Sequence, residues 1–387
     1  MPASVDVAVI GGGPAGTTLA NLVARAGWSV LVLEKDRHPR FHIGESLLPH
    51  NIRIFRRLGL EQALARIGVY KPGADFTSDA PNEDVQGIRF DDALDVPDGC
   101  GHAYQVLRSE LDRLLFDAAG RAGATLVADA RVRNADFEPG QKPVLSIEHA
   151  GREHRVTARY VVDASGRDAF LARKFQSQRR NRAHGTAALY GHFRNVHRRA
   201  GEAAGNISIY WFDQGWIWMI PLPDGVMSVG AVCNPEYLKL RGKNVQRFFE
   251  DTLRRNPHAW RRMEAGEPVS SITATGNYSY YSRRRDGERW LMIGDAGVFV
   301  DPVFSSGVYF GMHSAELAAD VILAHLAGKR LQAVRARRRF RRRVRRGVRE
   351  LSWFIYRFPG PAMRHLFLRS RKVFGVRQAV ISVLAGD

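Results

Sequence analysis

Cysteine is scarce in this chain. Cys100 and Cys233 are the only two among 387 residues, and they lie far apart. With no Cys-x-x-Cys pair and no cluster of histidines, neither a disulfide scaffold nor a zinc or iron–sulfur site organises the fold, and no metal is expected. A run of about 18 apolar residues is missing too, so no spanning helix is expected. No Lys or Arg precedes Arg25, and the apolar stretch 5–10 is short and runs straight into glycines. That is not the pattern of a secretory leader, and a cytoplasmic location is expected.

Acid is the other scarcity. Asp and Glu number 39 against 58 Lys and Arg, a net charge of +19. The excess is local. Residues 329–387 hold 18 Lys or Arg against Glu350 and Asp387, a balance of +16, so the rest of the chain carries only +3. A uniformly basic nucleic-acid coat is thereby disfavoured; the pattern is a near-neutral body with one basic appendage. The hydrophobic share of 45% and charged share of 25% are those of a globular enzyme, not a disordered or fibrous chain. The length suits two interleaved domains.

What is present begins with a dinucleotide signature. Residues 5–10 read as a buried strand, followed by Gly11-Gly12-Gly13-Pro14-Ala15-Gly16, a helical pattern over 15–26 and a second strand over 29–33 ending at Glu34. The chemistry requires this order. Gly11 allows a tight turn, Gly13 lets the backbone approach a pyrophosphate, and Gly16 lets the helix pack on the strand. The helix N-terminus faces the phosphates, and Glu34 can accept a ribose hydroxyl. A glycine turn in some unrelated α/β fold is the bland alternative, and the full context disfavours it.

That motif leaves NAD and FAD both open. Two later strands end in Asp163-Ala164-Ser165-Gly166 and Gly294-Asp295-Ala296, and a helix is expected over 306–326. A second acid at a strand end suits the ribityl chain of a flavin. In this order the segments resemble the FAD-dependent aromatic monooxygenase superfamily, and Arg108 matches that superfamily's arginine near the flavin. The resemblance implies an α/β fold: a Rossmann-like FAD-binding domain of the glutathione-reductase-like type, made of residues 1–75, 100–170 and 275–328. An antiparallel substrate sheet is expected from 76–99 and 171–274, with strands near 187–193, 206–212, 216–221 and 226–232. Residues 329–387 form a basic helical C-terminal segment in this plan.

Three segments narrow the branch. Arg40 to Pro49 (with Glu45-Ser46), the Trp216-Ile217-Trp218-Met219-Ile220-Pro221 stretch, and Asp301-Pro302-Val303-Phe304-Ser305-Ser306-Gly307 resemble flavin-dependent halogenases, most closely those acting on phenols and pyrroles, often on acyl or peptidyl carrier proteins. The resemblance implies FAD contacts at Gly11, Gly13, Ala15, Gly16, Glu34, Lys35, Arg40, Ser46, Arg108, Asp295, Pro302 and Gly307. It implies chloride or bromide at Ser306 and Gly307, where backbone N–H groups open a helix. A plain Ser-Gly helix start is the alternative there. Reduced FAD, supplied by a separate flavin reductase, would react with oxygen and halide to give hypohalous acid.

Lys71, in Lys71-Pro72-Gly73-Ala74, falls where the family keeps its active-site lysine. A buried lysine with a lowered pKa can direct an electrophilic halogen, whereas an ordinary loop lysine is solvated. Trp216 and Trp218 share one strand face; they either keep substrate off the flavin or form sheet core. Phe304, in the turn before the 306–326 helix, is expected as a further active-site wall residue. His42 and Glu45 are polar contacts near the flavin or loop caps, and Glu45 is not expected to be catalytic. Tryptophan halogenases keep a glutamate where Phe304 stands, so an electron-rich substrate is implied. An FAD oxidoreductase, monooxygenase or prenyl-reductase-like enzyme without halide chemistry stays open, as does a flavin-containing docking or membrane-associated protein.

The appendage has its own pattern. Ten arginines fall within 335–349, while Phe340, Val344, Val348, Leu351 and Ile355 recur at helical spacing. Either the apolar stripe packs on the body and the basic face is simply solvated, or that face steers an acidic carrier or lies on the inner face of an anionic membrane. Leu366, Phe367, Leu368 and Phe374 follow. Nucleic acid is the weakest partner, since no binding motif supports it.

Overall fold

The computed structural model describes residues 1–80, 85–92, 100–181, 186–276, 279–299, 305–368 and 382. The strand Ser4–Ile10 lies at its centre. Val7, Ala8 and Val9 are fully buried, as an apolar strand covered on both faces should be. It pairs in parallel with Val30–Leu33 on one side and with the end of Arg152–Asp163 on the other. Thr125–Val127 and Trp290–Met292 extend this parallel layer at its two edges. The glycine turn and the Asp163 and Asp295 turns therefore all leave the sheet at the same end, which is where open α/β sheets bind ligands. The start of Arg152–Asp163 runs antiparallel to Val144–His149, which pairs with Ala130–Asp136.

Two helices, Pro14–Arg25 and Ser306–Leu326, pack together on one face of this layer. Leu19, Ala20 and Val23 share an apolar cluster with Ala315, Ala318, Val321 and Ile322. The second helix has the bounds that the sequence pattern implies.

The other layer is an eight-stranded sheet. Its order is Glu267–Pro268, Ala187–Arg194, Met227–Cys233, Gly215–Pro221, Ile207–Phe212, Gly73–Thr77 and Gln86–Arg89, with Thr273–Gly276 also on Ala187–Arg194. The four expected strands are present with ends shifted by a residue, and they pair antiparallel. Gly73–Thr77 straddles the boundary expected at 75/76 and joins this sheet in parallel with Ile207–Phe212. A two-stranded ribbon, Gly68–Lys71 with Ala103–Val106, links the layers. A separate small sheet joins Gln178–Arg180, Tyr280–Ser282 and Val298–Phe299.

The basic segment folds as the helix Arg330–Arg357 and then Pro361–Leu368. Phe340 and Val344 bury against the FAD layer, and Val348 packs beside them. Ile355, Phe358, Met363 and Phe367 bury against the substrate sheet with Trp211, Trp216 and Phe76. The stripe reading holds, and the segment fastens both layers together. Phe374 lies outside the described residues.

Candidate active site

At the first turn, two glycines are fixed by packing alone. Gly11 has φ +106°, and a Cβ there would stand 2.4 Å from the Ala164 carbonyl oxygen. At Gly16 a Cβ would stand 2.1 Å from the Gly11 oxygen. Gly13 differs. Its φ is −79°, and the nearest atom to an added Cβ is Arg40 Nη2 at 3.8 Å. Its missing side chain leaves open space before the helix N-terminus. Ala15 sits in that helix's first turn, against the close approach of Gly294 and Gly311.

Glu34 is buried at the end of its strand. It accepts the Gly12 N–H at 2.7 Å and the Asp36 N–H at 3.0 Å, and pairs with Arg40 Nη2 at 3.3 Å. Arg40 Nε is buried with no partner. Lys35 turns away and pairs with Asp168 at 2.5 Å on the surface.

Arg108 opens the helix Arg108–Arg121. Asp112 takes its Nε and Nη2 at 2.8 and 3.1 Å, and its Nη1 donates to the Ile43 oxygen at 2.6 Å. Asp295 has its carboxyl pushed up to about 6 by burial, against the pull of Arg108 and Arg167. The acid of the other strand end has a different task. Asp163 is fully buried and accepts the N–H groups of Ser165 and Leu171 at 3.0 and 2.7 Å, so it holds the Ala164-Ser165-Gly166 turn in shape.

Lys71 ends the strand Gly68–Lys71, where alternation sends Tyr70 outward and Lys71 inward. Tyr70 is 54% exposed and stacks on His102, whereas Lys71 is 1% exposed. Its Nζ donates to Ser46 Oγ and to the Leu47 oxygen, both at 2.8 Å, and lies 5.1 Å from the centre of the Phe90 ring. No carboxylate pairs with it among the described residues. Burial alone lowers its pKa to about 7, because an ammonium loses its hydration there and gains no counter-charge. Ser46, expected beside the flavin, is thus the lysine's acceptor.

Next to it, Glu45 is 1% exposed. Its Oε1 lies 2.9 Å from His192 Nε2, and its Oε2 is buried without a partner. His192 comes from the substrate sheet, and nothing in the sequence singled it out. His42 is exposed.

Trp216 and Trp218 are buried, their ring centres 5.7 Å apart, with Phe358 6.1 Å from Trp216 and Tyr190 6.2 Å from Trp218. They belong to the apolar cluster that also holds Leu47, Phe90 and Val308. The pair is sheet core.

A model of the FAD binding domain family matches residues 4–345. The chondrochloren halogenase of a myxobacterium, a solved FAD-dependent halogenase, is 31% identical with a TM-score of 0.86; the match covers 100% of this chain and 90% of that one. The chain belongs to the flavin-dependent halogenase family. A tryptophan 2-halogenase of Chondromyces crocatus is 32% identical over 85% of this chain and 63% of its own. A chlorinase of Pseudomonas fluorescens acting on 1H-pyrrole-2-carbonyl-[peptidyl-carrier protein] is 29% identical over 82% of this chain and 75% of its own. The chain thus spans just under two thirds of the first of these relatives.

The residues present fit the FAD of this halogenase family. The space before Gly13, the unpartnered Arg40 Nε and the acid Glu34 converge where a diphosphate and a ribose would lie. At the far end, Ser305 with φ +57° precedes the helix that begins at Ser306, and no side chain caps its first turn. Ser306 is buried, and Gly307 is exposed, with open space where a Cβ would stand. Pro302 and Phe304 lie outside the described residues. Among the described residues no group of His, Cys, Asp and Glu is arranged to hold a metal.

Proposed function

We propose that the protein is an FAD-dependent halogenase that places chlorine or bromine on an electron-rich aromatic, a phenol or a pyrrole. When bound and reduced, FAD supplies with oxygen the oxidising equivalent that turns halide into hypohalous acid. A separate flavin reductase provides the reduced flavin. Glu34 and Arg40 hold its adenosine and diphosphate end, with Arg108 and Asp295 at the flavin end. The uncapped N–H groups at Ser306 and Gly307 hold the halide. Lys35, paired with Asp168, contributes only by charge from the rim.

The observation that carries the proposal is the state of Lys71. Ser46 Oγ and the Leu47 oxygen take two N–H groups of the buried amine. In the neutral form the lone pair is then free. Nζ takes the halogen from hypohalous acid, and the hydroxide leaves with an amine proton as water. The arene carbon next attacks the halogen, the N–halogen bond breaks, and the arene's proton returns to nitrogen. A phenol or pyrrole is reactive enough without a carboxylate base at position 304. The carrier-bound substrate of the Pseudomonas relative supports a carrier-tethered aromatic here as well.

Lys71→Ala tests this reading. Flavin absorbance of the purified variant should match the wild type, while halogenated product falls at least a thousandfold, about the contribution of one essential group. Product formation at the wild-type rate would refute the assignment of Lys71.

A further inference from the structure

The Arg330–Arg357 helix buries Phe340, Val344 and Ile355 against its own protein, so its opposite side is what solvent meets. Residues 331, 334, 338, 342, 345, 349 and 353 follow one another at three- and four-residue steps and share that side. Arginine occupies the middle of the row. Leu331 and Val334 stand at one end, 77% and 50% exposed, and Trp353 at the other, 48% exposed. Arg335, Arg338, Arg342, Arg343 and Arg345 are exposed and have no acidic partner among the described residues. By contrast, the body-facing Arg337 and Arg341 are both held by Asp286, at 3.8 and 2.8 Å.

We propose that this side of the helix docks the protein on an anionic phospholipid surface, arginines on headgroup phosphates and Trp353 at the headgroup boundary. The shape favours lipid over an acidic protein. A helix of 28 residues is roughly 42 Å long. A flat anionic surface meets the whole row at once. A protein partner would need an acidic ridge of equal length with apolar seats at both ends. Indole rings and arginines partition to the membrane interface, where the charge is attracted and the ring stays half-wet. Binding is peripheral, since the apolar stripe is already occupied and no helix among the described residues is long and apolar enough to cross a membrane. The proposal does not depend on the halogenation chemistry.

The test is vesicle flotation of the full chain at low salt, with phosphatidylcholine vesicles and with equal parts phosphatidylcholine and phosphatidylglycerol. Wild type should float only with the anionic vesicles and be released by raised salt. Each arginine near such a surface contributes about fivefold in affinity, so R338E/R342E/R345E should weaken binding by at least about a hundredfold. Trp353→Ala should weaken it about tenfold, with the thermal midpoint of both variants within a few degrees of wild type. Failure of the wild type to float, or equal flotation of the triple variant, overturns the proposal. So does binding to polyglutamate as tight as to anionic vesicles and indifferent to Trp353, which would make the surface a site for acidic protein.

Discussion

Two glycines one turn apart should answer mutation in opposite ways. Gly16→Ala drives a methyl group into the Gly11 oxygen 2.1 Å away, so it should lower the thermal midpoint by several degrees whether or not flavin is present. Gly13→Val meets open space in the protein and should fold normally, yet it fills the diphosphate position and should purify without flavin colour. Flavin occupancy of Gly13→Val at the wild-type level would move the cofactor elsewhere. Lys71 carries a second contrast at this scale. Its pKa of about 7 in the folded chain lies below that of an exposed lysine, so the folded state binds fewer protons between pH 7 and pH 10. Its burial therefore costs stability most below neutral pH, on the order of 5 kcal/mol, and the cost fades as pH rises toward the unfolded value. Lys71→Met should raise the thermal midpoint at pH 6 and change it little at pH 10. If the neutral amine is the reacting form, halogenation should rise as pH increases through about 7; a fall through that range would mean that the ammonium donates instead.

Between elements, the contact most exposed to test is the one joining the substrate strand Ala187–Arg194 to the segment that holds Lys71. His192→Leu leaves both Glu45 oxygens buried without a partner and should cost about 1–3 kcal/mol, read as a drop in thermal midpoint. Adding Glu45→Met to it should recover most of the loss, since removing both partners leaves no orphan. This pair also marks the limit of what the sequence could tell. The strand–glycine–helix unit, the substrate strands, the 306–326 helix and the apolar stripe of the C-terminal segment were all legible, because each is a local pattern with its own period. Lys71 was legible only with the family resemblance beside it. The pairing of Glu45 with His192 was not, because the partners are 147 residues apart and meet only when the two layers close. The resemblance implies Lys35 and Arg40 alike as FAD contacts, but the loop sends one to Asp168 and the other to Glu34. Asp163 read as part of a cofactor motif, and the fold uses its carboxylate to cap two backbone N–H groups.

At the scale of the whole molecule, the C-terminal segment is a strap across both layers, with Phe340 on the FAD side and Phe358 and Phe367 on the sheet side. Phe340→Ala should therefore cost about 3–4 kcal/mol, far more than any one surface arginine, whose ion pairs are worth under about 1 kcal/mol. The strap ties both layers of a molecule that holds a buried amine at Lys71 and an uncapped helix start at Ser306. That arrangement suits halogen transfer better than hydride transfer or hydroxylation, neither of which needs Lys71. The direct measurement is mass spectrometry of a phenolic probe after turnover with reduced FAD, oxygen and either chloride or bromide. The account predicts a product carrying the isotope pattern of the halide supplied, formed by the wild type and absent with Lys71→Ala. A hydroxylated or unchanged probe from a fully flavin-loaded wild type, under both halides, would contradict it.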